Sequence, residues 1–476
     1  MKLKNINPIV FIFILSIFLE AMDAFSMYAI PLPWIGIALM IGLYIINYFF
    51  GFDYEFDKLP SLRIWLFYIF CVTVIRAVSF DSILPEYATT TFSQYITLRL
   101  LKLLGFIAGI WAIHFINDHL NKEKIIEYLV YVGVLVSLFS LYSYFSYFLE
   151  VPDFTRSRPG SGGWTQPIKR ACSILRNYGT FREPSFLAVW LAPTIPLTFF
   201  LAKKKNYWYF VSLIPLLAMV LTRSLTGVIS VILAFLVASL IWTIKNKSFN
   251  FYLLMPIVMI LVVSILGNNL SYKFPALDPT MCPPESPDKC NCSLYDDKLD
   301  EAKNSESVTK SIFTRVTLIS SGGIDAFENI SFLRSYISSE NMKIFGDGLG
   351  ASNIDYSYEF EEMSKQEKEG QIVFRNPGQI VSFNNLYANI YLSAGLIGIA
   401  WFTSIIFALF RKLLNSFNDL NLYLFINFFI ILLMYFFQAE ELGLSLAISI
   451  GLILSLIHIS EPTRLLSISY AVFCLK

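Results

Sequence analysis

Charge is scarce in this chain: Asp, Glu, Lys and Arg make up 15% of its 476 residues, and 36 basic against 35 acidic side chains leave a net charge of +1. A nucleic-acid partner needs a basic face, and this balance supplies none. No tandem repeat is visible, nor the inverted symmetry between halves that many transporters show. What fills the chain instead is apolar: 56% hydrophobic residues, 44 Phe and 26 Tyr, with a mean hydropathy of +0.60. That composition excludes a disordered chain and an ordinary soluble enzyme.

The apolar residues come in blocks, and a bilayer core about 30 Å thick needs roughly 20 apolar helical residues to cross it. The sequence therefore reads as an all-α polytopic membrane protein. Apolar stretches lie near Ile9–Tyr28, Pro33–Phe50, Ile64–Val78, Leu101–Ile116, Ile125–Leu149 and Phe186–Ala202. Others follow near Tyr207–Leu221, Val228–Ile244, Phe251–Gly267, Gly395–Phe410, Leu420–Phe437 and from Leu442 onward, which makes about 12 spans. Lys2, Lys4, Lys58, Arg63, Lys122, Lys124, Lys203 to Lys205, Lys245, Lys247, Arg411 and Lys412 all fall on one side of that arrangement. Basic residues near helix ends stay in the cytoplasm, so the N-terminus is expected there and the long loops outside. His114 and His119, at the cytoplasmic end of the fourth span, are expected to be structural.

The chain accordingly divides into membrane helices over 1–150, a first extracytoplasmic loop over 151–185, helices over 186–267, a large extracytoplasmic loop domain over 268–394 and helices over 395–453. Long loops inside a compact protein carry function or are unstructured. In the first loop, SRPGSGGW (Ser157 to Trp164) reads as a flexible lid or, more simply, a linker. Cys172, Cys282, Cys290 and Cys292 lie in the two outer loops, where disulfides form. Zinc is the sharper alternative there, but the loop has no His and three thiols make a poor structural site. Disulfide or free thiol is the better reading, and no metal site is expected.

A final stretch, 454–476, differs in kind. LSLIHISEPTR (Leu454 to Arg464) and ISYAVFCLK (Ile468 to Lys476) resemble, in frame, the translation of a transposase-type sequencing-library adapter. The expectation is that the natural sequence diverges near Ile453, so that His458 and Cys474 carry no function. The plain alternative is an ordinary last helix with a short tail.

Candidate chemistry gathers on the outer side. ILRNYGTFREPSFLA delivers Arg176, Arg182 and Glu183 to the outer end of a span, and LTRSLTG puts Arg223 in an outer turn. In the large loop, Arg315 and Arg334 precede IFGDGLG, whose Gly346 and Gly348 do not follow a strand of a βαβ unit, so a nucleotide-binding reading fails. Guanidinium groups match phosphate oxygens two at a time and keep their charge, so these arginines suit a phosphate ligand at a membrane surface. The bland reading of each is a snorkelling or turn-anchoring side chain.

FNNLYANIYLSAGLIGIAW follows the large loop. Here the chain resembles the O-antigen ligase and polymerase superfamily, whose shared pattern is His, then Asn, Ser or Gln, nine free residues, Gly, two free residues and Gly, Thr or Tyr. Asn385, Gly395 and Gly398 fit it, and Asn384 stands in the His position. Together with GTFREPSF, the LTRSLTG turn and FGDGLG, the resemblance covers the chain from about Pro8 to Ile453.

The resemblance implies a GT-C-like glycosyltransferase at the outer face of a bacterial cytoplasmic membrane, metal-independent and without a cofactor. Its partners would be a polyprenyl-pyrophosphate-linked oligosaccharide, membrane lipid and a chain-length regulator. A departing lipid pyrophosphate needs fixed cations, which makes Arg176, Arg223 and Arg334 the expected catalytic clamp, with Arg182, Arg315, Asn385, Gly346 and Gly348 as substrate-binding residues. Asn384 completes the motif but cannot act as a base, because an amide has no useful proton affinity; Glu183 is the candidate base. The missing His points to a polysaccharide polymerase ahead of a ligase that delivers glycan to lipid A-core or protein. A flippase or transporter using Glu20, Asp23 and Arg76 is the rival of another class.

Overall fold

In a computed structural model the chain is described over residues 8–28, 30–49, 59–79, 84, 91–154, 156–158, 175–270, 337, 342–357, 380, 382–415, 418–437 and 441–455. It is mostly helical. Each apolar stretch read from the sequence coincides with a helix. Six of these are long and apolar enough to cross a membrane: Pro60–Ser79, Phe92–Ile116, Lys122–Leu149, Pro184–Ala202, Leu225–Asn246 and Leu386–Asn415. The other six apolar helices are shorter, at 10–17 residues.

In chain order the elements are α1 (Pro8–Glu20), β1 (Ser26–Met27), β2 (Ile30–Pro31), α2 (Leu32–Phe49), α3 (Pro60–Ser79), α4 (Phe92–His119) and α5 (Lys122–Leu149). They continue as α6 (Pro184–Leu191), α7 (Thr194–Ala202), α8 (Tyr207–Leu221), α9 (Leu225–Asn246) and α10 (Met255–Asn269). After the large loop come α11 (Leu386–Asn415), α12 (Asp419–Met434) and α13 (Leu444–Ser455). Two departures from expectation stand out near the N-terminus. α1 stops at Glu20, well short of Tyr28, and the residues beyond it form a small antiparallel hairpin pairing Ser26 with Pro31, so the protein is not wholly helical.

Large apolar side chains face outward, as on Phe67, Ile75, Phe210 and Phe407, each at least 66% exposed. The interior is packed with apolar side chains, Phe13, Trp65, Phe106 and Phe235 among them, and between these lie small hydroxyl residues such as Ser16, Ser137, Ser140 and Thr198. Each returns its hydroxyl to a carbonyl of its own helix. Apolar side chains on the outside as well as the inside suit contact with lipid, where small residues let helices pack closely and these hydroxyls take partners within the bundle. The break between α6 and α7 follows the same rule, because the Pro193 carbonyl accepts from buried Asn427 at 2.7 Å and Asn427 accepts from Ser449 at 2.8 Å. α4 lies between α2 and α13, and α12 packs on α7, α9 and α13, which brings the two ends of the sequence together.

The helix termini sort by charge. One end pairs Lys203 with Asp419 and Lys204 with Glu123, and sets Lys245 on the Leu414 carbonyl. The opposite end carries Asp23, Arg158, Arg176, Arg182 and Arg223, at the ends of α1, α6 and α8. The bundle thus has a lysine end and an arginine end.

The described part of the large loop, 342–357, is not a separate unit but is spliced into the bundle at the arginine end. Gly395 breaks α11 with φ 70° and ψ −170°. The break orphans the N–H groups of Leu396 and Ile397 and the carbonyls of Leu392 and Ser393. The loop meets all four: Leu396 and Ile397 donate to the carbonyls of Lys343 (2.9 Å) and Ile344 (3.3 Å), while Asp347 and Gly348 donate to those of Leu392 and Ser393 (both 2.9 Å). Tyr68 of α3 donates to the Phe345 and Ala394 carbonyls at 3.1 and 2.9 Å. A broken helix is tolerated at membrane depth only when protein satisfies the freed groups in this way.

α13 runs through Ser455, which is fully buried, so the helix passes the point at which the adapter-like residues begin. Residues 456–476 lie outside the described residues.

Candidate functional site

Asp23 lies in the turn after α1, and its two oxygens divide between two guanidiniums. Arg158 Nη1 meets Oδ1 and also donates to the Asp23 carbonyl at 3.0 Å; Arg182 Nε donates to Oδ2 at 2.8 Å. The backbone holds all three in place, with Ala24 N–H on the Thr180 carbonyl at 2.9 Å and Arg158 N–H on the Ala24 carbonyl at 3.3 Å. Burial alone favours a neutral Asp23, but Arg182 and Arg158 outweigh it and hold the carboxyl below its usual range.

The first two residues of SRPGSGGW are built into this geometry. Ser157 hydrogen-bonds Ser26 through both backbone and hydroxyl, and Arg158 reaches the site. Residues 159–164 lie outside the described residues. One step earlier, Arg156 is anchored by Asp153 (3.0 Å), Ser143 (2.9 Å) and the Gly179 carbonyl (2.9 Å), and lies over the Tyr178 ring.

The segment that returns from the loop is pinned to the α8–α9 turn. Asn177 N–H donates to the Leu221 carbonyl and Arg176 Nε to the Thr222 carbonyl, both at 2.9 Å. Arg176 therefore sits on the peptide next to Arg223. Arg223 occupies the left-handed region at φ 54°, a place usually filled by glycine, with its N–H on the Val220 carbonyl. Glu183 precedes α6 and accepts from Ser185 at 3.2 Å. Burial raises its carboxyl above the ordinary range, with Ser185, Arg182 and Arg176 pulling the other way.

A second charged cluster, which the sequence reading passed over, joins α4 to the turn before α13. Glu441 gives Oε1 to Arg99 and Oε2 to Lys102. Arg99 also donates to the Tyr95 hydroxyl at 2.6 Å. Burial pushes the Glu441 carboxyl up, but the two cations prevail and hold it below its usual range. The signal was present in TLRLLKLLGF: two cations three apart on a helix share a face, and ionisable residues inside an apolar run are functional candidates by default.

Both clusters open on one cavity of about 260 Å³. Asp23, Arg182, Lys102, Glu441 and Glu20 line it, with Glu20 held by Trp190 Nε1 at 2.7 Å. The remaining wall is mostly apolar, including Met40, Phe106, Phe186, Val189 and Leu442. A smaller pocket of about 30 Å³, enough for a water molecule or two, adjoins it through Lys102, Glu441 and Leu442. The lining itself holds the cations Lys102 and Arg182 and the carboxyls Glu20, Asp23 and Glu441, with Arg99 and Arg158 reaching Glu441 and Asp23 from outside it.

Among the arginines named from sequence, Arg182 therefore lines the cavity, whereas Arg176 and Arg223, which the sequence put in the clamp, meet at the α8–α9 turn and are not part of its lining. Arg315 and Arg334 lie outside the described residues, as do Cys172, Cys282, Cys290 and Cys292. Four further residues named from sequence have structural work. Asn385 caps α11 through its oxygen (Ala388 N–H, 2.9 Å) and donates to the Phe436 carbonyl at 2.9 Å. Gly346 presses its α-carbon on the α11 break, where a Cβ would stand 2.5 Å from Ala394 N, and the N–H of Gly348 is taken by Ser393. Asn384 adopts φ 51° and accepts from Ser382 at 3.1 Å. Among the described residues, no group of three His, Cys, Asp or Glu side chains is placed to hold a metal ion.

No model of a known protein family matches the chain, and no curated protein matches it either.

Proposed function

We propose that this protein is a surface-polysaccharide polymerase of the O-antigen polymerase type, a twelve-span enzyme of the bacterial cytoplasmic membrane with its arginine end outside. It transfers a polyprenyl-pyrophosphate-linked glycan onto a lipid-linked repeat unit. The observation that carries this reading is the cavity itself: cations held in place by carboxylates, Arg182 by Asp23 and Lys102 by Glu441, set into a largely apolar wall suit a headgroup of phosphate attached to a hydrocarbon tail. The lysine end supports the orientation, because Lys203 to Lys205 and Lys245 then face the cytoplasm.

In the proposed reaction the acceptor sugar hydroxyl attacks the anomeric carbon of the donor. The carbon–oxygen bond to pyrophosphate breaks, and the electron pair leaves with the lipid diphosphate. Arg182 and Arg158, held by Asp23, stabilise that growing charge, and Arg176 and Arg223 add to the field from the α8–α9 turn. Glu183 takes the hydroxyl proton; its raised affinity for a proton suits that role.

Deletion of the gene tests the reading. Loss of a polymerase leaves surface glycan one repeat long, loss of a ligase leaves long glycan on its lipid carrier, and loss of a flippase leaves repeat units inside. Arg182→Ala in the restored gene is expected to abolish glycan ladders while the protein still inserts. Full-length ladders from that variant, or long glycan stranded on lipid in the deletion, overturn the proposal.

A further inference from the structure

Of the carboxyls that line the cavity, Asp23 and Glu441 are committed to cations. Asp23 divides between Arg158 and Arg182, and Glu441 between Arg99 and Lys102, while Arg182 also stands near Glu183 at the start of α6. Glu20 is different. Among the described residues its carboxyl enters no ion pair, and its hydrogen bond comes from Trp190 Nε1 to Oε2 at 2.7 Å. A carboxyl has room for about four hydrogen bonds, so most of that capacity is left for whatever fills the cavity.

The groups around Glu20 suit a sugar. Trp190 lines the cavity as well, oriented by the same hydrogen bond, and an indole offers a flat apolar face to the C–H side of a sugar ring. Tyr435, at the end of α12, also lines it and is close enough to Glu20 for the two to interact electrostatically. The Tyr435 phenol oxygen takes the N–H of Leu446 in the first turn of α13, and among the described residues nothing accepts its own O–H. Gly443 leaves that hydroxyl room, because a Cβ there would stand 2.5 Å from Tyr435 Oη. Sugar hydroxyls both donate and accept, so a carboxyl and a phenol bind them without a counter-charge. A sugar joined to a diphosphate lies one bond from it, so its subsite must adjoin the cation that holds the phosphate. Glu20 meets this condition, since it lies on the same turn as Asp23, within range of its charge, and Asp23 holds Arg182.

We propose that Glu20, Trp190 and Tyr435 form the subsite for the sugar carried by the lipid diphosphate, with Glu20 as its specificity-determining residue. This rests on the polymerase reading, which puts the diphosphate at Arg182.

The test is binding to the purified full chain in detergent with two probes: the lipid-linked repeat unit extracted from the deletion strain, and geranylgeranyl pyrophosphate, which carries no sugar. Glu20→Met removes the carboxyl and keeps the length of the side chain. It is expected to weaken binding of the repeat unit about tenfold, as loss of a hydrogen bond to a carboxylate does, and to leave geranylgeranyl pyrophosphate unchanged. Glu20→Gln, which still donates and accepts, is expected to recover most of that loss, and Trp190→Leu to behave like Glu20→Met. Arg182→Met is expected to weaken both probes. A repeat unit bound by Glu20→Met and Trp190→Leu as tightly as by the unaltered protein overturns the sugar subsite, and so does a loss shared equally by both probes. In either case the polymerase reading stands if Arg182→Met weakens both probes; if neither probe binds the unaltered protein, both readings fall. Should Glu20→Met fail to insert, Tyr435→Phe decides: it is expected to weaken the repeat unit alone, and unchanged binding of the repeat unit overturns the subsite.

Discussion

Replacing Gly395 by alanine isolates the splice that joins the large loop to α11. The φ of 70° with ψ of −170° is a conformation that only glycine adopts readily, and forcing another residue into it costs on the order of 1–3 kcal/mol. The new Cβ would also stand 2.2 Å from the Ile344 carbonyl oxygen, and that oxygen belongs to rigid backbone. Relief requires the loop to lift, which gives up the four backbone hydrogen bonds between 343–348 and 392–397, at roughly 1 kcal/mol net each. Strain and clash together, or the lifted loop, cost the variant about 3 kcal/mol, which for a chain of this size lowers the melting temperature by about 3 °C. The assay is thermal unfolding of purified protein, with hydrogen exchange read over residues 343–350. Gly42→Ala is the internal control: it sits within α2 with nothing inside 4 Å of the added methyl, so it is expected to stabilise by up to about 1 kcal/mol. Equal melting temperatures for the Gly395 variant and the unaltered protein, with loop protection unchanged, refute the splice as an energetic unit.

Arg223→Gly relieves a left-handed arginine and is expected to raise stability by about 1 kcal/mol while abolishing chain extension; a variant that is both more stable and fully active removes Arg223 from the reaction. Asp23→Asn keeps the shape of the side chain but leaves Arg158 and Arg182 without their counter-charge, so it is expected to bind geranylgeranyl pyrophosphate more tightly and to release it slowly, with glycan ladders shortened; unchanged binding argues against an anion at this cluster. For Glu183, burial raises the carboxyl, so the ionised base is lost as pH falls through a value above the ordinary carboxylate range. Chain extension in vitro is expected to fall on the acid side at that point, and Glu183→Gln to be inactive at every pH; a Gln variant with the normal profile eliminates Glu183 as the base. The same shift acts on stability in the opposite direction, since the protonated form is favoured in the fold and that contribution disappears as pH rises.

Glycine and asparagine positions in the FNN and FGDGLG segments were visible as a pattern, yet their job was not. At Gly346 and Gly395 two backbones meet, and Asn385 caps α11. A motif marks a constrained place in the chain without saying whether a ligand or another strand of the same protein imposes the constraint.

Local sequence determined the helices themselves. An apolar run in lipid must satisfy its own hydrogen bonds, so the positions of the apolar stretches, and the lysines that end up together at one pole, were set by short-range chemistry. Which helices would be neighbours was another matter. Helices that are apolar on every side do not announce the face they bury, and in lipid the choice falls to small-residue packing and polar partners. Only the tertiary structure could bring Asp23 to Arg158 and Arg182, 135 and 159 residues away, and Glu441 to Arg99 across 342. Those two ion clusters, and the cavity between them, exist because charges that cannot stay in lipid alone found one another through the packed bundle.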